Sequence, residues 1–162
     1  MTNKIITQQE INEYFEYKDG FLYWKKVNSN VTKIGNIAGC FQKNGYQILM
    51  LNKQFHYVHR LIYLKFYGNL PKIIDHIDGN PSNNKIENLR EATQSDNICN
   101  RAKQSNNKSG IKGVAWNPKR NEWTATCQYK GIVIRKYCKS IDEAEITVRK
   151  LREQLHGQFA HH

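Results

Sequence analysis

Hydrophobic and polar residues change their spacing several times along the first third of the chain. Thr7-Gln8-Gln9-Glu10 has the pattern of a helix-capping box before Ile11, Tyr14 and Phe15, which predicts one short helix. Runs rich in β-branched and aromatic residues then alternate with turn signals such as Asn44-Gly45. They predict a small antiparallel sheet with strands at 21–27, 34–41, 46–51 and 55–58.

The middle third predicts a helix and then a compact unit of strand, loop, strand and helix. Residues 59–67 are apolar enough for a buried helix, which Gly68 and Pro71 would end. Residues 73–80 predict a short strand that runs into a turn. A polar loop at 81–88, a second strand at 89–92, and a helix that starts near Thr93 or Ser95 and reaches about Lys103 follow.

Beyond a polar stretch at 103–110, which predicts a linker, the pattern changes. Strands are predicted at 111–116, 122–129 and 132–138, and a second capping box starts at Ser140. Apolar residues then recur at spacings of four, three and four, as in an amphipathic helix. The sequence therefore predicts an α+β fold in two parts: residues 1–104, with a core at 45–103, and residues 105–162.

The charge is strongly basic, with 25 Lys and Arg against 14 Asp and Glu in 162 residues and a net charge of +11. Such an excess suits a polyanionic partner such as nucleic acid, and a solubilising surface charge is the alternative reading of composition alone. No apolar run approaches the ~20 residues of a membrane span, and no signal-like segment opens the chain. We therefore expect a cytoplasmic protein without a membrane partner. The four cysteines lack zinc-site spacing and suit reduced, structural thiols.

The Asp75-His76 pair is the sharpest chemical feature of the sequence. An imidazole beside a carboxylate suits a general base next to a metal ligand, although such a dipeptide alone is more often a surface pair. In a strand-loop-strand-helix unit, the end of the first strand meets the start of the helix, which would bring Asp75 and Asn97 together. Their hard oxygens suit Mg²⁺ or Mn²⁺, and Asn88 would bridge the loop backbone with its amide.

Asp75-His76, Asn88 and Asn97 resemble the His-Asn-Asn form of the HNH (ββα-metal) nuclease motif. The surrounding segments 58–61, 75–80, 83–84 and 87–90 are similar to phage and intron-borne HNH homing endonucleases, and the likeness covers residues 45–101. The resemblance implies that His76 is the general base, that Asp75 and Asn97 hold one divalent ion, Mg²⁺ or Mn²⁺, and that Asn88 holds the base. Asn97 stands where many relatives carry His, which favours a hard metal over zinc.

Arg60 is a further candidate of the predicted catalytic site. It would reach a phosphate near the metal, and the alternative is a solvated Arg at a helix N-terminus. Asp78 is expected to be a turn residue and not a ligand.

The C-terminal part resembles the AP2 DNA-binding domain in four segments, at 113–116, 123–125, 142–144 and 156–160. If Trp123, Ala125 and Cys127 face the helix, alternate residues of the same strand face outward and can enter a major groove. The predicted DNA-binding residues are Lys112, Asn117, Lys119, Arg120, Thr124, Thr126, Gln128 and Arg135. The family usually shows more Arg here and a Gly-aromatic pair in place of Lys136-Tyr137, so the register of the third strand stays open.

These features predict a metal-dependent endonuclease that hydrolyses duplex DNA, of the homing or mobile-element type. One active site per chain makes a nick the simplest product of a monomer, and no protein partner is evident. The rival functions are a DNA-binding regulator with a vestigial active site and an RNA-binding module.

Overall fold

The computed structural model describes residues 6–26, 32–100, 107–157 and 160. Its helices and short antiparallel sheets make an α+β fold, which confirms the predicted class. The chain forms two compact units, Met1–Glu91 and Ala92–His162, called here the N-terminal unit and the C-terminal unit, and each is described by itself. Within the described ranges, no helix is long and apolar enough to cross a membrane.

The N-terminal unit consists of two helices and three small antiparallel sheets. Strands β1 and β2 form a hairpin, β4 lies between β3 and β5, and β6 pairs with β7. The elements in chain order are α1 (Gln8–Tyr14), β1 (Phe15–Lys18), β2 (Phe21–Trp24), β3 (Cys40–Phe41), β4 (Gln47–Leu51), β5 (Gln54–Tyr57), α2 (Val58–Tyr67), β6 (Ile74–His76), a 3₁₀ turn (Ile86–Asn88) and β7 (Leu89–Glu91).

The capping box predicted at the first helix is present. The Thr7 hydroxyl accepts the Glu10 N–H at 3.2 Å, and the Glu10 carboxylate accepts the Thr7 N–H at 3.0 Å. The helix ends one residue earlier than its apolar spacing suggested, because Phe15 begins strand β1. That strand was not predicted. Its Phe15 is fully buried and belongs to the core of the N-terminal unit, together with Ile11, Leu22, Val58, Leu61 and Ile62.

The strand predicted at 34–41 is wrong for most of its length. Only Cys40–Phe41 forms a strand, and Ile37 makes a single bridge to Tyr23. Gly39 explains the interruption, since its φ is +91° and a Cβ there would collide with the carbonyl oxygen of Ile48. The chain therefore approaches β4 too closely, and in the wrong conformation, for an ordinary strand residue.

The C-terminal unit is a three-stranded antiparallel sheet with a long helix across one face and a short helix before it. Its elements are α3 (Gln94–Asn100), β8 (Val114–Asn117), β9 (Glu122–Tyr129), β10 (Ile132–Cys138) and α4 (Ile141–His156), with β9 in the middle of the sheet. Ala125 on the sheet and Ala144 and Val148 on α4 are completely buried between them. This arrangement confirms the predicted strands and amphipathic helix, although the first strand begins at Val114 instead of residue 111.

The division between the two units does not coincide with the predicted linker. Residues 101–106, which include the first half of that linker and the predicted end of the preceding helix, lie outside the described residues. The compact units divide between Glu91 and Ala92, so helix α3 belongs to the C-terminal unit. The functional boundary at 104–105 stays a prediction, but the structure joins the helix that carries Asn97 to the sheet that follows it.

Candidate active site

Strand β6 presents Asp75 and His76, both of them buried, with exposed fractions of 4% and 5%. The strand pairs with β7 so that Asp75 lies opposite Arg90 and His76 opposite Leu89. Since successive residues of a strand point to opposite faces, the carboxylate and the imidazole meet different surroundings. Each of the two side chains has its own hydrogen-bond partner.

His76 is held by a relay of two buried amides. Its Nε2 lies 3.0 Å from Asn84 Oδ1, Asn84 Nδ2 donates to Gln47 Oε1 at 3.4 Å, and Gln47 Nε2 donates to the Ala38 carbonyl at 3.2 Å. A backbone carbonyl only accepts, so the orientation of each amide follows from the one before. Asn84 therefore presents its oxygen to the ring, and Nε2 must carry the proton. In the neutral ring the lone pair then lies on Nδ1, and a role for that nitrogen as the general base stays a prediction.

Aromatic rings and a second imidazole surround His76. The ring of His59 lies 5.1 Å from that of His76, and Tyr46 lies 5.9 Å from His76 and 5.5 Å from His59. Burial lowers the pKa of His59 to about 3, helped by the neighbouring His76 and Arg60. His59 is therefore neutral at physiological pH and adds no positive charge beside His76.

Asp75 is paired with a residue that the sequence analysis did not single out. Its Oδ2 accepts from Arg90 Nε at 2.9 Å and from Arg90 Nη2 at 2.8 Å. The two side chains are only 4% and 14% exposed, so the pair compensates the buried carboxylate. The cross-strand register places the two residues directly opposite each other, and a correct strand pairing would have been needed to predict the contact.

Asn88 bridges the loop between β6 and β7, as its sequence position suggested. Its Oδ1 accepts the Asp78 N–H at 3.1 Å, and its Nδ2 donates to the Asn83 carbonyl at 2.8 Å and to Asp78 Oδ1 at 2.9 Å. Burial alone would raise the pKa of Asp78, but hydrogen bonds from Asn83, the Asn80 N–H and Asn88 outweigh it and lower that pKa. Asp78 is a turn residue, as expected, and the catalytic role of Asn88 stays a prediction.

Asn97 lies in the first part of helix α3, in the C-terminal unit, whereas Asp75 and His76 lie in the N-terminal unit. Within the described residues, no group of three or more His, Cys, Asp and Glu side chains could hold a metal ion. A carboxylate and an amide oxygen are nevertheless the donors that a hard divalent ion accepts, with water and phosphate oxygens completing its shell. These donor types suit Mg²⁺ or Mn²⁺, and a site formed by Asp75 and Asn97 stays a prediction.

The structure gives Arg60 a contact that differs from the predicted one. Its guanidinium donates to the carbonyls of Pro71 and Lys72 at 3.1 and 3.4 Å, so it holds the segment after α2 against that helix. Partial burial also lowers its pKa. A contact between Arg60 and a phosphate stays a prediction, since these hydrogen bonds already explain the side chain.

The outer face of the C-terminal sheet carries most of the predicted DNA-binding residues. A groove of about 260 Å³ opens there, lined by Ala115, Trp116, Asn117, Pro118, Thr124, Thr126 and Arg135. Gln128 lies on the same strand and is exposed, while Ala125 and Cys127 are buried on the helix side, so the predicted alternation is present. Thr124 is only 8% exposed and forms the floor of the groove.

The remaining predicted DNA-binding residues have separate surroundings. The Arg120 guanidinium stacks over the ring of Tyr137 at 4.3 Å, and Lys119 lies in the exposed β8–β9 turn. Lys112 is different, because its Nζ donates to the Cys99 carbonyl at 2.6 Å and burial lowers its pKa. A contact between Lys112 and DNA stays a prediction, and the structure shows Lys112 in a contact within the C-terminal unit.

Comparison with known proteins finds a family match for the middle of the chain. Residues 56–98 match the family described as HNH endonuclease. Protein 3.8 of Escherichia phage T7 is 38% identical over 95 residues, which are 57% of this chain and 78% of that protein. Residues 56–98 are therefore a domain of the HNH endonuclease family. An HNH endonuclease of Acanthamoeba polyphaga mimivirus, named L560, is 34% identical over 107 residues, covering 64% of this chain and 54% of that protein. No solved structure matches the chain.

The HNH match spans Arg60, Asp75, His76, Asn88 and Asn97, the residues chosen for the nuclease site. The family resemblance of this part of the chain is therefore confirmed, whereas the roles of the five residues stay predictions. The match ends before the C-terminal sheet, so the resemblance of that sheet to AP2 domains stays a prediction. Sequence reasoning missed Gln47, and it quoted Asn84 and Arg90 without giving either of them a role.

The buried His59 predicts a pH-dependent stability. Its pKa falls from an ordinary 6.5 to about 3 in the folded chain, so between these values the unfolded chain binds a proton that the folded chain does not. The free energy of unfolding therefore contains the full contribution of neutral His59 above pH 6.5, and it falls by up to about 1.4 kcal/mol for each pH unit below that value.

Urea unfolding at pH 5, 6 and 7.5 measures this slope of the unfolding free energy against pH. His59→Gln should flatten it, and His56→Gln, on β5, serves as the control. An equal slope in the wild type and His59→Gln would contradict the prediction.

Proposed function

We propose that this chain is a metal-dependent endonuclease that hydrolyses phosphodiester bonds in duplex DNA. The observation that carries the proposal is the amide relay from Ala38 through Gln47 and Asn84 to His76. The relay holds a buried imidazole in one tautomer beside a buried carboxylate, on a segment that matches the HNH endonuclease family. A solvated surface His-Asp pair would need neither the burial nor the relay.

In this proposal His76 acts as the general base. Its Nδ1 accepts a proton from the attacking water, while Asn84 holds Nε2–H and stabilises the ring that becomes positively charged. His59 stays neutral nearby, so it does not oppose that charge. Asn88 keeps the loop of 77–88 in shape through its three hydrogen bonds.

Asp75 and Asn97 would hold Mg²⁺ or Mn²⁺ in this proposal. When bound, the ion would supply Lewis-acid stabilisation of the charge on the leaving oxygen. Arg90 limits the movement of Asp75 by its two hydrogen bonds to Oδ2, so the carboxylate is oriented before any ion arrives. A homing or mobile-element role is the biological context we favour, with a monomer in the cytoplasm making one nick per site.

His76→Ala should abolish cleavage and leave DNA binding nearly intact, since the imidazole is buried and acts on water. The expected loss is on the order of the 10²–10⁴-fold ascribed to a general base. The measurement is nicking of plasmid DNA with Mg²⁺ or Mn²⁺, beside a gel-shift titration of the same duplex. Asn69→Ala, at an exposed position after α2, is the control variant.

Three outcomes of that experiment separate the candidate functions. Cleavage by the wild type and loss in His76→Ala support the endonuclease. Duplex binding without metal-dependent cleavage by the wild type would indicate a DNA-binding regulator, and a preference for RNA would indicate the RNA-binding module. Near-normal cleavage by His76→Ala would remove His76 from the mechanism.

We also propose that the outer face of the C-terminal sheet binds the duplex. The groove combines an exposed guanidinium from Arg135 with hydroxyl and amide groups from Thr124, Thr126 and Asn117, which suits a polar and anionic ligand. Residues 105–162 carry 11 Lys and Arg against 5 Asp and Glu, and this excess adds long-range attraction.

Arg135→Ala should weaken duplex binding and its salt dependence together. One lost phosphate contact reduces the slope of log K against log salt by about 0.9, because fewer counterions are released. Gel shifts over a salt series measure this slope. Lys150→Ala, which removes an exposed charge from helix α4, is the matched control. An identical slope in the two variants would exclude Arg135 from the DNA-binding face.

A further inference from the structure

Helix α3, which carries Asn97, is held within the C-terminal unit by strand β9. The phenolic hydroxyl of Tyr129, the last residue of β9, donates to Asp96 Oδ1 at 2.7 Å. Asp96 precedes Asn97 directly and is only 5% exposed. The hydrogen bond therefore joins the sheet to the residue beside the candidate metal ligand.

The same carboxylate also caps its own helix. Asp96 Oδ2 accepts the Thr93 N–H at 2.9 Å and the Thr93 hydroxyl at 2.7 Å, while the Thr93 hydroxyl accepts the Asp96 N–H at 3.2 Å. One carboxylate thus fixes the start of α3 with one oxygen and attaches it to β9 with the other. Rotation of the first turn relative to β9 would break the Tyr129 contact, and unwinding of that turn would break the Thr93 contacts.

The other end of α3 is attached to the C-terminal unit as well. Lys112 Nζ donates to the carbonyl of Cys99 at 2.6 Å, and the buried Cys99 thiol lies 3.9 Å from the Gln128 carbonyl. A helix of seven residues is too short to be stable alone, so these contacts decide where it sits. Asn97 lies between the two attachment points.

We propose that Tyr129 is a positioning residue for Asn97. The C-terminal sheet then has a second role besides holding DNA: it sets the pose of the helix from which Asn97 would bind the divalent ion. This inference rests on the proposed function, because it takes Asn97 to be a metal ligand. It also implies that the part after residue 104 supports catalysis and is more than a separate tether for DNA.

The experiment uses the full chain with Tyr129→Phe, which removes one hydroxyl group and keeps the aromatic ring. Tyr67→Phe removes a hydroxyl from an exposed tyrosine of α2 and is the matched control. Three quantities are measured: amide hydrogen exchange over 94–100, the Mn²⁺ concentration for half-maximal nicking, and duplex affinity by gel shift. Asn97→Ala is measured in parallel.

Tyr129→Phe should speed exchange in α3 and raise the half-saturating Mn²⁺ concentration, each by about tenfold, as expected for losing a hydrogen bond to a charged group. Saturating Mn²⁺ should restore most of the rate, and duplex affinity should stay within about twofold of the control. A general loss of folding would instead lower the maximal rate and the affinity as well.

The outcomes separate this inference from the function on which it rests. If Tyr129→Phe matches Tyr67→Phe in exchange and Mn²⁺ requirement while Asn97→Ala loses nicking, the positioning role alone is overturned. If Asn97→Ala nicks at the wild-type Mn²⁺ concentration, the metal role of Asn97 is overturned, and the positioning role falls with it.

Discussion

The hydrogen bond between His76 Nε2 and Asn84 Oδ1 is the contact on which the proposed chemistry depends. An imidazole in water exchanges between two tautomers and two protonation states, whereas a base must present a lone pair in one direction. Asn84 can impose that direction because it is only 2% exposed and is itself oriented by Gln47. The fold of the N-terminal unit is arranged around this requirement: β4 supplies Gln47, β6 supplies His76, and the loop between β6 and β7 supplies Asn84.

Burial makes these polar contacts obligatory. A buried polar group without a partner costs about 1–3 kcal/mol, and a buried charge without one costs more. Arg90 compensates the buried carboxylate of Asp75, and the Ala38 carbonyl accepts a hydrogen bond from the buried Gln47 amide. Because every group in the relay has a partner, the network has one arrangement and holds His76 rigidly. The same principle operates in the C-terminal unit, where Asp96 divides its two oxygens between Thr93 and Tyr129.

Local signals in the sequence predicted the parts of the molecule that depend on nearby residues. The capping box at Thr7, the helix after Val58 and the alternation along β9 were all correct, and so was the bridging amide of Asn88. Arg90 and Gln47 were not predicted, because their partners lie 15 and 37 residues away in the chain. The Asp75–Arg90 contact follows from strand register, and the Gln47–Asn84 contact from the packing of the β6–β7 loop near β4; short-range pattern specifies neither.

Charge alone does not define the role of an individual basic residue. Arg60 and Lys112 were predicted to contact DNA, which stays a prediction, and the structure shows that both donate to backbone carbonyls. Their long side chains let the cationic groups satisfy carbonyls at the ends of neighbouring segments, a use that no sequence pattern distinguishes from DNA binding. The family match, by contrast, follows from several spaced residues at once and covers all of the nuclease candidates.

The state of the His76 ring tests the central claim most directly. Long-range ¹H–¹⁵N correlation spectra of the ¹⁵N-histidine-labelled chain, with His76→Gln for assignment, report which ring nitrogen carries the proton. The amide relay predicts that the neutral ring carries its proton on Nε2 and its lone pair on Nδ1. A proton on Nδ1, or rapid exchange between the two tautomers, would contradict the account.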